Sequence, residues 1–413
     1  MATVRQTHLP SVPTRNFPIL ILRHHIDMPS SIKILCFGRF YDEIPGGMQK
    51  HIEHLFANLQ GHVEFVHLVP SRDATRAEFT LHGFPVIRTP SLNLDGSLAI
   101  SPSLISTARQ LHRQYHFDLI HLHFPDPMSH LASLALPARI PRIISWHADV
   151  IRQKTLLRFY RPLLRHAVRT ASAITVATPA HIDSSPILSQ FANQAPIHVI
   201  PYGFDLTHFL TPHHKTTKII QQFPGKRIFA LGRHVYYKGF DILIKALHQL
   251  EPSTQLLIGG TGPLSETWKM LAKTEGLADR IHFLGLINDE DLPAYYQACD
   301  VFCLPAVSQA EAFGIVQVEA MACAKPVVST RLNNGVDFVN QHGVTGLTVP
   351  PSDIVALAQA LNQLLTDPSL REKLGQQARE RAVNEFSLTA MGQKTLQLYE
   401  RITSQTKQYI KLS

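Results

Sequence analysis

The chain has 413 residues, of which 45% are hydrophobic and 17% charged, with 39 Lys and Arg against 31 Asp and Glu. This composition excludes extensive disorder, and the length predicts two domains with sizeable hydrophobic cores. We expect neither a membrane-spanning helix, because no apolar run reaches about 18 residues, nor a secretory signal, because the apolar residues 17–22 run directly into Arg23 without a small-residue cleavage site.

Residues 1–30 are rich in proline and show neither helical nor strand periodicity. Regular patterning starts at Ser31. We therefore predict that residues 1–30 are an N-terminal extension, or that they precede a true initiator such as Met28.

Short apolar runs alternate with amphipathic stretches along the rest of the chain. The runs of the first half are residues 32–38, 62–69, 118–124, 142–148 and 174–178. Helical patterns separate them, at residues 48–59, 103–115 and 151–171 among others. The alternation restarts in the second half, with apolar runs at residues 227–233, 255–260, 280–286, 301–306 and 325–330. Such runs between helices indicate a parallel sheet covered on both faces.

Two such series predict an α/β protein with two doubly wound, Rossmann-like domains that face each other across a cleft. We place the N-terminal domain at residues 31–205 and the C-terminal domain at residues 206–385. The segment from His198 through the polar residues 211–222 is interpreted as the linker between the two series.

Four cysteines lie in apolar stretches, and none forms a Cys-x-x-Cys pair. We predict buried free thiols and a reducing, cytoplasmic environment. The four are Cys36, Cys299, Cys303 and Cys323.

Two features follow strands of the first domain. Gly46 and Gly47 come after the first strand and before a helix, where paired glycines let the backbone approach a phosphate or sugar closely. A plain turn is the alternative. His147, in the sequence Trp-His-Ala-Asp, leaves the fourth run at the cleft edge, where it could donate a hydrogen bond or move a proton. Since the chain holds 24 histidines, an incidental position is the alternative.

Two loops follow strands of the second domain. Arg233 and Lys238 flank a strand-to-helix turn, which predicts a site for a diphosphate, with surface charges near a helix start as the alternative. The next loop holds three glycines in four residues, and Gly260 and Gly262 would allow close approach to a base or phosphate.

Glu311 and Glu319 lie eight positions apart across a turn that opens a helix. Glu311 could accept hydrogen bonds from sugar hydroxyls, with the amides of Phe313 and Gly314 directed at the same pocket, while Glu319 could reach a ribose diol. Two solvated acids are the alternative. However, the neighbours of Glu319 are apolar, and an unpaired carboxylate is costly among them.

The positive charge is uneven, with a net +7 in residues 1–200 and +1 in residues 201–413. Residues 151–171 hold six basic residues and no acid. Four of these follow three- and four-residue steps, which place them on one helical face beside apolar neighbours. This pattern suits an anionic membrane surface. A solvated face is the alternative, and nucleic acid is disfavoured because no recognition motif accompanies the patch. The four are Arg158, Arg161, Arg165 and Arg169.

The segments GGMQKHI, WHAD, GRHVYYKG, GGTGP and EAFGIVQVEAMAC occur in this order. Together they resemble the retaining family 4 glycosyltransferases of GT-B fold, over roughly residues 32–400. The resemblance implies a nucleotide-sugar donor bound mainly by the C-terminal domain and an acceptor bound by the N-terminal domain. It also implies that a C-terminal helix at residues 386–413 returns to the N-terminal domain.

The resemblance also implies roles for single residues. Arg233 and Lys238 would hold the diphosphate, Glu319 the ribose, and His147 would lie near the anomeric centre. The donor sugar would contact Glu311, Phe313, Gly314 and Ile315, and the glycine loops would contact the phosphates and acceptor through Gly46, Gly47, Gly260 and Gly262. Because two fixed cations can stabilise the leaving diphosphate, we expect no metal or other cofactor, and the nucleotide-diphosphate sugar is a co-substrate. No carboxylate is obviously placed as a nucleophile, so we expect a front-face transfer.

We therefore expect a retaining hexosyltransferase that uses GDP-mannose or a UDP-hexose. Its acceptor would be a saccharide or lipid-linked saccharide in surface polysaccharide, lipopolysaccharide or glycolipid biosynthesis, reached from the cytoplasm with peripheral contact to the inner face of the membrane. A nucleotide-sugar epimerase or phosphorylase of related fold is one alternative, and a non-catalytic nucleotide-sugar-binding protein is another.

Overall fold

Two β-sheets, one in each half of the chain, form the framework of the protein. The structure, a computed structural model, describes residues 31–38, 47–71, 75–94, 98–147, 154–191 and 196–412. The predicted extension at residues 1–30 therefore lies outside the described residues.

The N-terminal half contains β1 (Ile32–Phe37), α1 (Gly47–Leu59), β2 (Val63–Pro70), β3 (Ala77–Leu81), β4 (Phe84–Thr89), β5 (Leu92–Leu94), β6 (Leu98–Ile100), α2 (Pro102–Tyr115), β7 (Leu119–Phe124), α3 (Pro127–Leu134), β8 (Arg142–Trp146), α4 (Lys154–Thr170), β9 (Ala173–Val176), α5 (Ala180–Ser184), α6 (Leu188–Phe191) and β10 (Ile197–Val199). The main sheet has the order β10-β9-β8-β7-β1-β2-β4-β3. Its strands are parallel except β3, which pairs antiparallel with β4, and β5 and β6 form a separate antiparallel pair.

The C-terminal half contains α7 (Thr207–Leu210), α8 (Thr216–Gln222), β11 (Arg227–Leu231), α9 (Phe240–Ala246), β12 (Gln255–Gly259), α10 (Ser265–Thr274), β13 (Ile281–Gly285), α11 (Leu292–Ala298), β14 (Val301–Leu304), α12 (Ile315–Ala322), β15 (Val327–Thr330), α13 (Gly335–Val339), β16 (Gly346–Val349), α14 (Ile354–Thr366), α15 (Pro368–Phe386) and α16 (Leu388–Leu412). Its sheet is parallel throughout, in the order β13-β12-β11-β14-β15-β16.

Helices cover both faces of each sheet, which explains why the central strands read as continuous apolar runs. All six residues of β7 are buried, and so are all four of β14. The apolar runs were correctly predicted as strands, and the doubly wound α/β class is confirmed. The sequence did not reveal β3 to β6, β10 or β16, because three to six residues with mixed polarity carry little periodicity.

The segment 211–222 was predicted as part of a linker, and for its second half this is wrong. Thr216–Gln222 forms α8, which packs against α11 and buries Ile219 and Phe223 in the core of the C-terminal domain. The side chain of Gln297 in α11 accepts hydrogen bonds from the His213 amide and the Thr216 hydroxyl, at 2.8 and 3.0 Å. Ile219 and Phe223 therefore anchor an otherwise exposed, polar stretch to the domain core.

The chain crosses between the two domains twice, and the two crossings are hydrogen-bonded to each other. The amide of Phe204 donates to Phe386 O at 2.8 Å, and the amide of Leu388 donates to Phe204 O at 3.1 Å. After the second crossing, α16 packs against α1 and buries Tyr399 in the core of the N-terminal domain. A relative movement of the domains would therefore act on the backbone at these crossings.

Gly203 allows this close approach, and we expect Gly203→Ala to loosen it. A Cβ at residue 203 would lie 2.9 Å from Leu388 Cα and 3.0 Å from Ser387 O. Both are backbone atoms, which cannot move away by a change of rotamer. Overpacking of this kind typically costs about 1–3 kcal/mol, so the midpoint of thermal unfolding should fall. Gly47→Ala is the matched control, because the described atoms leave at least 4 Å of space there. Equal midpoints for the two variants would contradict the prediction.

The four cysteines are buried and free, as predicted from their apolar surroundings. Burial raises the pKa of each thiol, that of Cys299 to about 12, so these groups are poor nucleophiles at neutral pH.

In the part of the chain that the structure describes, none of the helices has both the length and the apolar character needed to cross a bilayer.

Candidate functional site

A buried ion pair lies at the carboxyl ends of β11 and β14, at the cleft edge of the C-terminal sheet. Lys238 belongs to a short 3₁₀ turn after β11, and Glu311 to the loop after β14. Lys238 Nζ lies 2.6 Å from Glu311 Oε2, and the two side chains are only 9% and 11% exposed. Lys238 and Glu311 are 73 positions apart, and both were predicted to bind the same donor. In the structure they are in direct contact. Each is held as the counterion of the other.

Arg233 lies in the same loop as Lys238 but has a different environment. Its side chain is exposed and forms no ion pair with the residues that the structure describes. The predicted pair of cations therefore consists of one fixed ammonium group and one guanidinium group at the surface of the loop.

Glu319 lies in the second turn of α12, and its partner is a tyrosine. The hydroxyl of the fully buried Tyr296 donates to Glu319 Oε2 at 2.6 Å. Burial raises the pKa of Glu319, while this hydrogen bond partly opposes the rise. The sequence correctly indicated a carboxylate in an apolar setting, but it did not reveal Tyr296.

We expect Glu319→Gln to stabilise the protein near neutral pH. The pKa of Glu319 is higher in the folded state than in the unfolded chain, so the folded state binds more protons and stability falls as the pH rises above the unfolded pKa. Glutamine can still accept from Tyr296 but does not ionise. The free energy of unfolding should thus exceed that of the wild type at pH 7, and the difference should vanish below about pH 4. Urea unfolding at both pH values measures this, and a stabilisation that persists in acid would contradict it.

Gly260 and Gly262 explain how two loops pack together. A Cβ at residue 260 would overlap the carbonyl oxygen of Gly232, and one at residue 262 would overlap the backbone of His234. Gly260 also has a φ of +104°, which favours glycine. The close approach predicted toward a base or phosphate is thus made, at least in part, toward the backbone of the loop that carries Arg233.

Phe313 and Gly314 lead into α12, whose first residue is Ile315. Gly314 is the N-cap, so a helix start does face the loop of Glu311. The ring of Phe313 lies 6.4 Å from that of Tyr202 and 5.8 Å from that of Phe204, between ring centroids. The start of α12, next to the loop of Glu311, therefore contacts the segment that joins the two domains.

His147 lies directly after β8, at the cleft edge of the N-terminal sheet, and both of its ring nitrogens are hydrogen-bonded. Nε2 lies 2.9 Å from His123 Nδ1, and Nδ1 lies 3.2 Å from the Tyr202 hydroxyl. The His147 and Tyr202 rings are stacked, with an interplanar angle of 5°. His147 is thus held by hydrogen bonds to His123 of β7 and to Tyr202 of the segment between the two domains. Tyr202 in turn contacts Phe313.

His147 belongs to a larger cluster of histidines that sequence analysis did not reveal. His51 in α1 lies 5.1 Å from His147, and His121 and His123 in β7 lie 4.3 Å apart, between ring centroids. Burial lowers the pKa of His51 to about 4, of His121 to about 3, and of His123 and His147 well below the usual value, so these rings are neutral at pH 7. The i, i+2 spacing of His121 and His123 was a signal that both point to one face of β7.

The cluster also reaches the C-terminal helix. His121 bonds to the hydroxyl of Ser145 at 2.8 Å and, through Nδ1, to that of Tyr399 at 2.7 Å. Tyr399 lies in α16, 278 residues further along the chain. The C-terminal helix thus positions a neighbour of the candidate site.

A polar cavity of about 210 Å³ lies between the two domains. Its N-terminal wall follows β9 and its C-terminal wall includes the loop of Glu311 and the start of α13. Its lining contains hydroxyl, amide and imidazole groups from Thr178, His181, Ser184, Gln309, Asn333 and Asn334. These groups are suited to hydrogen-bonding an uncharged polyhydroxyl compound.

An Asp-x-Asp sequence occurs once, at Asp289-Glu290-Asp291. Two carboxylates at this spacing could bind a divalent cation. Asp291 Oδ1, however, lies 2.6 Å from the ammonium group of Lys215. The expectation of metal-independent chemistry therefore rests on the cations of the Lys238 loop.

The basic patch lies on α4, which runs as one helix through Pro162. Arg161, Arg165 and Arg169 are exposed, whereas the side chain of Arg158 lies outside the described residues. Leu164 and Val168, which flank this face on the helix, are buried in the domain core. The apolar residues near the patch are thus used for packing, and only its charged face is open to a partner.

Gly46, the first of the paired glycines, also lies outside the described residues, and Gly47 begins α1.

Comparison with known proteins agrees with this geometry. The model of the family described as Glycosyl transferases group 1 matches residues 217–381, and that described as Glycosyltransferase Family 4 matches residues 45–208. D-rhamnosyltransferase WbpZ of Pseudomonas aeruginosa is 33% identical over 301 residues, which are 72% of this chain and 77% of the relative. O-antigen chain mannosyltransferase C of Escherichia coli is 29% identical over 284 residues, 68% of this chain and 75% of the relative.

Solved structures share the fold. Anabaena Alr3699/HepE, crystallised in complex with UDP, superposes with a TM-score of 0.66 at 23% identity, over 90% of this chain and 100% of that chain. Sucrose-phosphate synthase from Thermosynechococcus elongatus gives a TM-score of 0.62 at 23% identity, over 90% of this chain and 99% of that chain.

Proposed function

Because this chain belongs to the group 1, family 4 glycosyltransferases of GT-B fold, we propose that it transfers a hexose from a nucleotide-diphosphate sugar to a saccharide or lipid-linked saccharide with retention of configuration. The buried pair of Lys238 and Glu311 carries this proposal. Its ammonium and carboxylate groups, which we assign to the diphosphate and to sugar hydroxyls, lie 2.6 Å apart near a cavity lined by polar groups.

Donor binding would exchange the partners of this pair. The diphosphate takes Glu311's place as the main counterion of Lys238, and the exposed Arg233 adds a second cation. Glu311 then accepts hydrogen bonds from the sugar, and Glu319 accepts from the ribose. As the anomeric bond breaks, negative charge grows on the diphosphate next to the ammonium group of Lys238 and the guanidinium group of Arg233, which stabilises the transition state. We therefore propose metal-independent transfer, and EDTA should leave the rate unchanged.

His147 would act from the opposite domain. Its imidazole lies at the carboxyl edge of the N-terminal sheet, and Tyr202 stacks on it and approaches Phe313 of the donor loop. We propose that His147 contacts the donor sugar near the anomeric carbon when Tyr202 releases its Nδ1. A transfer in which the acceptor attacks from the same face as the departing diphosphate needs no carboxylate nucleophile.

For the donor, GDP-mannose is our first candidate and UDP-hexoses are the second. Relatives bear the names of mannosyltransferases, and one, from Mycolicibacterium smegmatis, is named GDP-mannose-dependent. HepE, in contrast, was crystallised with UDP and with UDP-glucose. The names O-antigen chain mannosyltransferase and phosphatidyl-myo-inositol mannosyltransferase support an acceptor in surface polysaccharide or glycolipid assembly.

A thermal-shift screen of nucleotide-diphosphate sugars tests the donor. A ligand that binds only the folded state raises the melting temperature, by an increment that corresponds to about 2.7 kcal/mol at 100 times its dissociation constant. The donor so identified is then incubated with and without saccharide acceptors. Transfer that needs an acceptor supports the proposal. Rapid conversion of the donor alone would favour an epimerase, and no response to any nucleotide sugar would contradict the proposal.

The basic face of α4 would hold the enzyme at an anionic membrane near a lipid-linked acceptor. Replacement of Arg158, Arg161, Arg165 and Arg169 by Gln should weaken co-sedimentation with phosphatidylglycerol vesicles by roughly a thousandfold, at about 1 kcal/mol per charge near the surface. A variant with Lys218, Lys226, Lys269 and Lys273 changed to Gln has the same net charge and serves as the control. If both variants co-sediment with the vesicles to the same extent as the wild type, the proposed membrane role is wrong.

A further inference from the structure

Three histidines from three different elements bring their ring nitrogens together at the edge of the N-terminal sheet. They are His51 of α1, His123 of β7 and His147 after β8, and one ligand nitrogen from each lies within 4.8 Å of the others. His123 Nδ1 and His147 Nε2 are 2.9 Å apart. A tetrahedron around an ion with nitrogen bonds of about 2.0–2.1 Å has an edge of about 3.3–3.4 Å, so the two rings would have to separate by a few tenths of an ångström to bind one.

Two nitrogens of this trio have no protein partner. His51 Nδ1 and His123 Nε2 are buried and are hydrogen-bonded to none of the residues that the structure describes. An ion bound at His123 Nδ1 would satisfy the first of these atoms but not the second, because Nε2 lies on the other side of the imidazole ring. An unsatisfied buried polar atom typically costs about 1–3 kcal/mol. A small cavity lined by His51, His147 and Tyr202 adjoins the trio and has room for about one water-sized particle.

We propose that His51, His123 and His147 form a binding site for a transition-metal ion of the Zn²⁺ type, which shares His147 with the proposed transferase site. Three neutral imidazoles leave one tetrahedral position for water or an anion. Since the trio contains no carboxylate, Mg²⁺ and Ca²⁺ are poor occupants, whereas imidazole suits Zn²⁺, Co²⁺, Ni²⁺ and Cu²⁺. Binding breaks the hydrogen bond between His123 and His147 and replaces it with bonds to the ion.

A neighbouring group of possible ligands is less suitable. Cys36, His121 and His123 also lie within ligand distance of one another. Both nitrogens of His121, however, are bonded to hydroxyl groups outside that set, those of Ser145 and Tyr399, at 2.8 and 2.7 Å. The Nε2 of His147, in contrast, is bonded within the trio, to His123. Burial also raises the pKa of the Cys36 thiol far above neutrality, which disfavours the thiolate that a metal requires. The ion should therefore have nitrogen and not sulfur ligands.

Titration of the full-length protein with Co²⁺ tests the site directly. We expect one equivalent to produce the visible absorption of tetrahedral Co²⁺ without thiolate charge-transfer bands, and Zn²⁺ but not Mg²⁺ to displace it. His51→Ala should lose this spectrum. His54→Ala is the matched control, because it removes a histidine of the same helix outside the trio, and it should keep the spectrum. A wild type without the spectrum, or a His51→Ala variant that retains it, would overturn the proposal.

Zinc absorption spectroscopy of the wild type avoids any dependence on variants and should report three imidazole ligands. Fewer than two would overturn the site. If the proposed transfer is observed, Zn²⁺ should inhibit it reversibly, because the ion occupies His147. The two proposals fail separately. Metal binding without transfer would contradict the enzyme function only, and transfer by a protein that binds no Co²⁺ would contradict the metal site only.

Discussion

Lys238→Ala should reduce kcat/KM for sugar transfer by about 100- to 1,000-fold, the usual effect of removing one group that stabilises transition-state charge. Lys238 is the buried cation of the loop after β11, whereas Arg233 in the same loop is exposed. The variant should also bind nucleoside diphosphate more weakly, while its affinity for the nucleoside alone should change little. Steady-state kinetics and calorimetric titration measure the two effects.

The same substitution leaves Glu311 without its counterion. Removing one partner of a buried ion pair typically costs about 3–5 kcal/mol of stability, so the loss of activity must be separated from unfolding. The double variant Lys238→Met with Glu311→Gln has no unpaired charge and should recover stability without recovering transfer. Lys245→Ala, a lysine of the adjacent helix α9, controls for the loss of one positive charge. Near-normal turnover of Lys238→Ala would remove this residue from the mechanism.

His147→Ala should lower kcat by about 100-fold or more, within the range for a positioned group that contacts the reacting centre, with little effect on nucleotide binding. The donor phosphates would be held by the C-terminal domain, whereas His147 belongs to the N-terminal one. The variant also deprives His123 and Tyr202 of a hydrogen-bond partner. A split between unchanged nucleotide affinity and reduced turnover would distinguish a catalytic contact from a structural one.

His147→Asn provides the matched control for this prediction, since an amide can replace part of the bonding to His123 and Tyr202. It should be more stable than His147→Ala, and its turnover should remain low if the imidazole itself contacts the sugar. A non-catalytic nucleotide-sugar-binding protein would show no transfer in the wild type and unchanged ligand affinity in both variants. Full turnover by His147→Ala would contradict the assigned role.

The sequence by itself determined the two α/β halves and the place of the candidate site residues at the edges of the sheets. Runs of apolar residues identify strands that are buried on both faces, and parallel strands bring their carboxyl ends to one edge. Arg233, Lys238, Glu311 and His147 all follow such runs, so their position at a sheet edge could be deduced without coordinates. Segments without periodicity could not be deduced in this way, and α8 was therefore mistaken for part of a linker.

Only the tertiary structure decided which side chains touch. The pairs of Lys238 with Glu311, Glu319 with Tyr296 and His121 with Tyr399 join residues that are 73, 23 and 278 positions apart. Periodicity specifies the face on which a side chain lies, but not the rotation and separation of the elements that meet there. The rotation and separation of the elements are set by packing of the whole core. For this reason the histidine trio and the hydrogen bonds of His147 could not be deduced from the sequence.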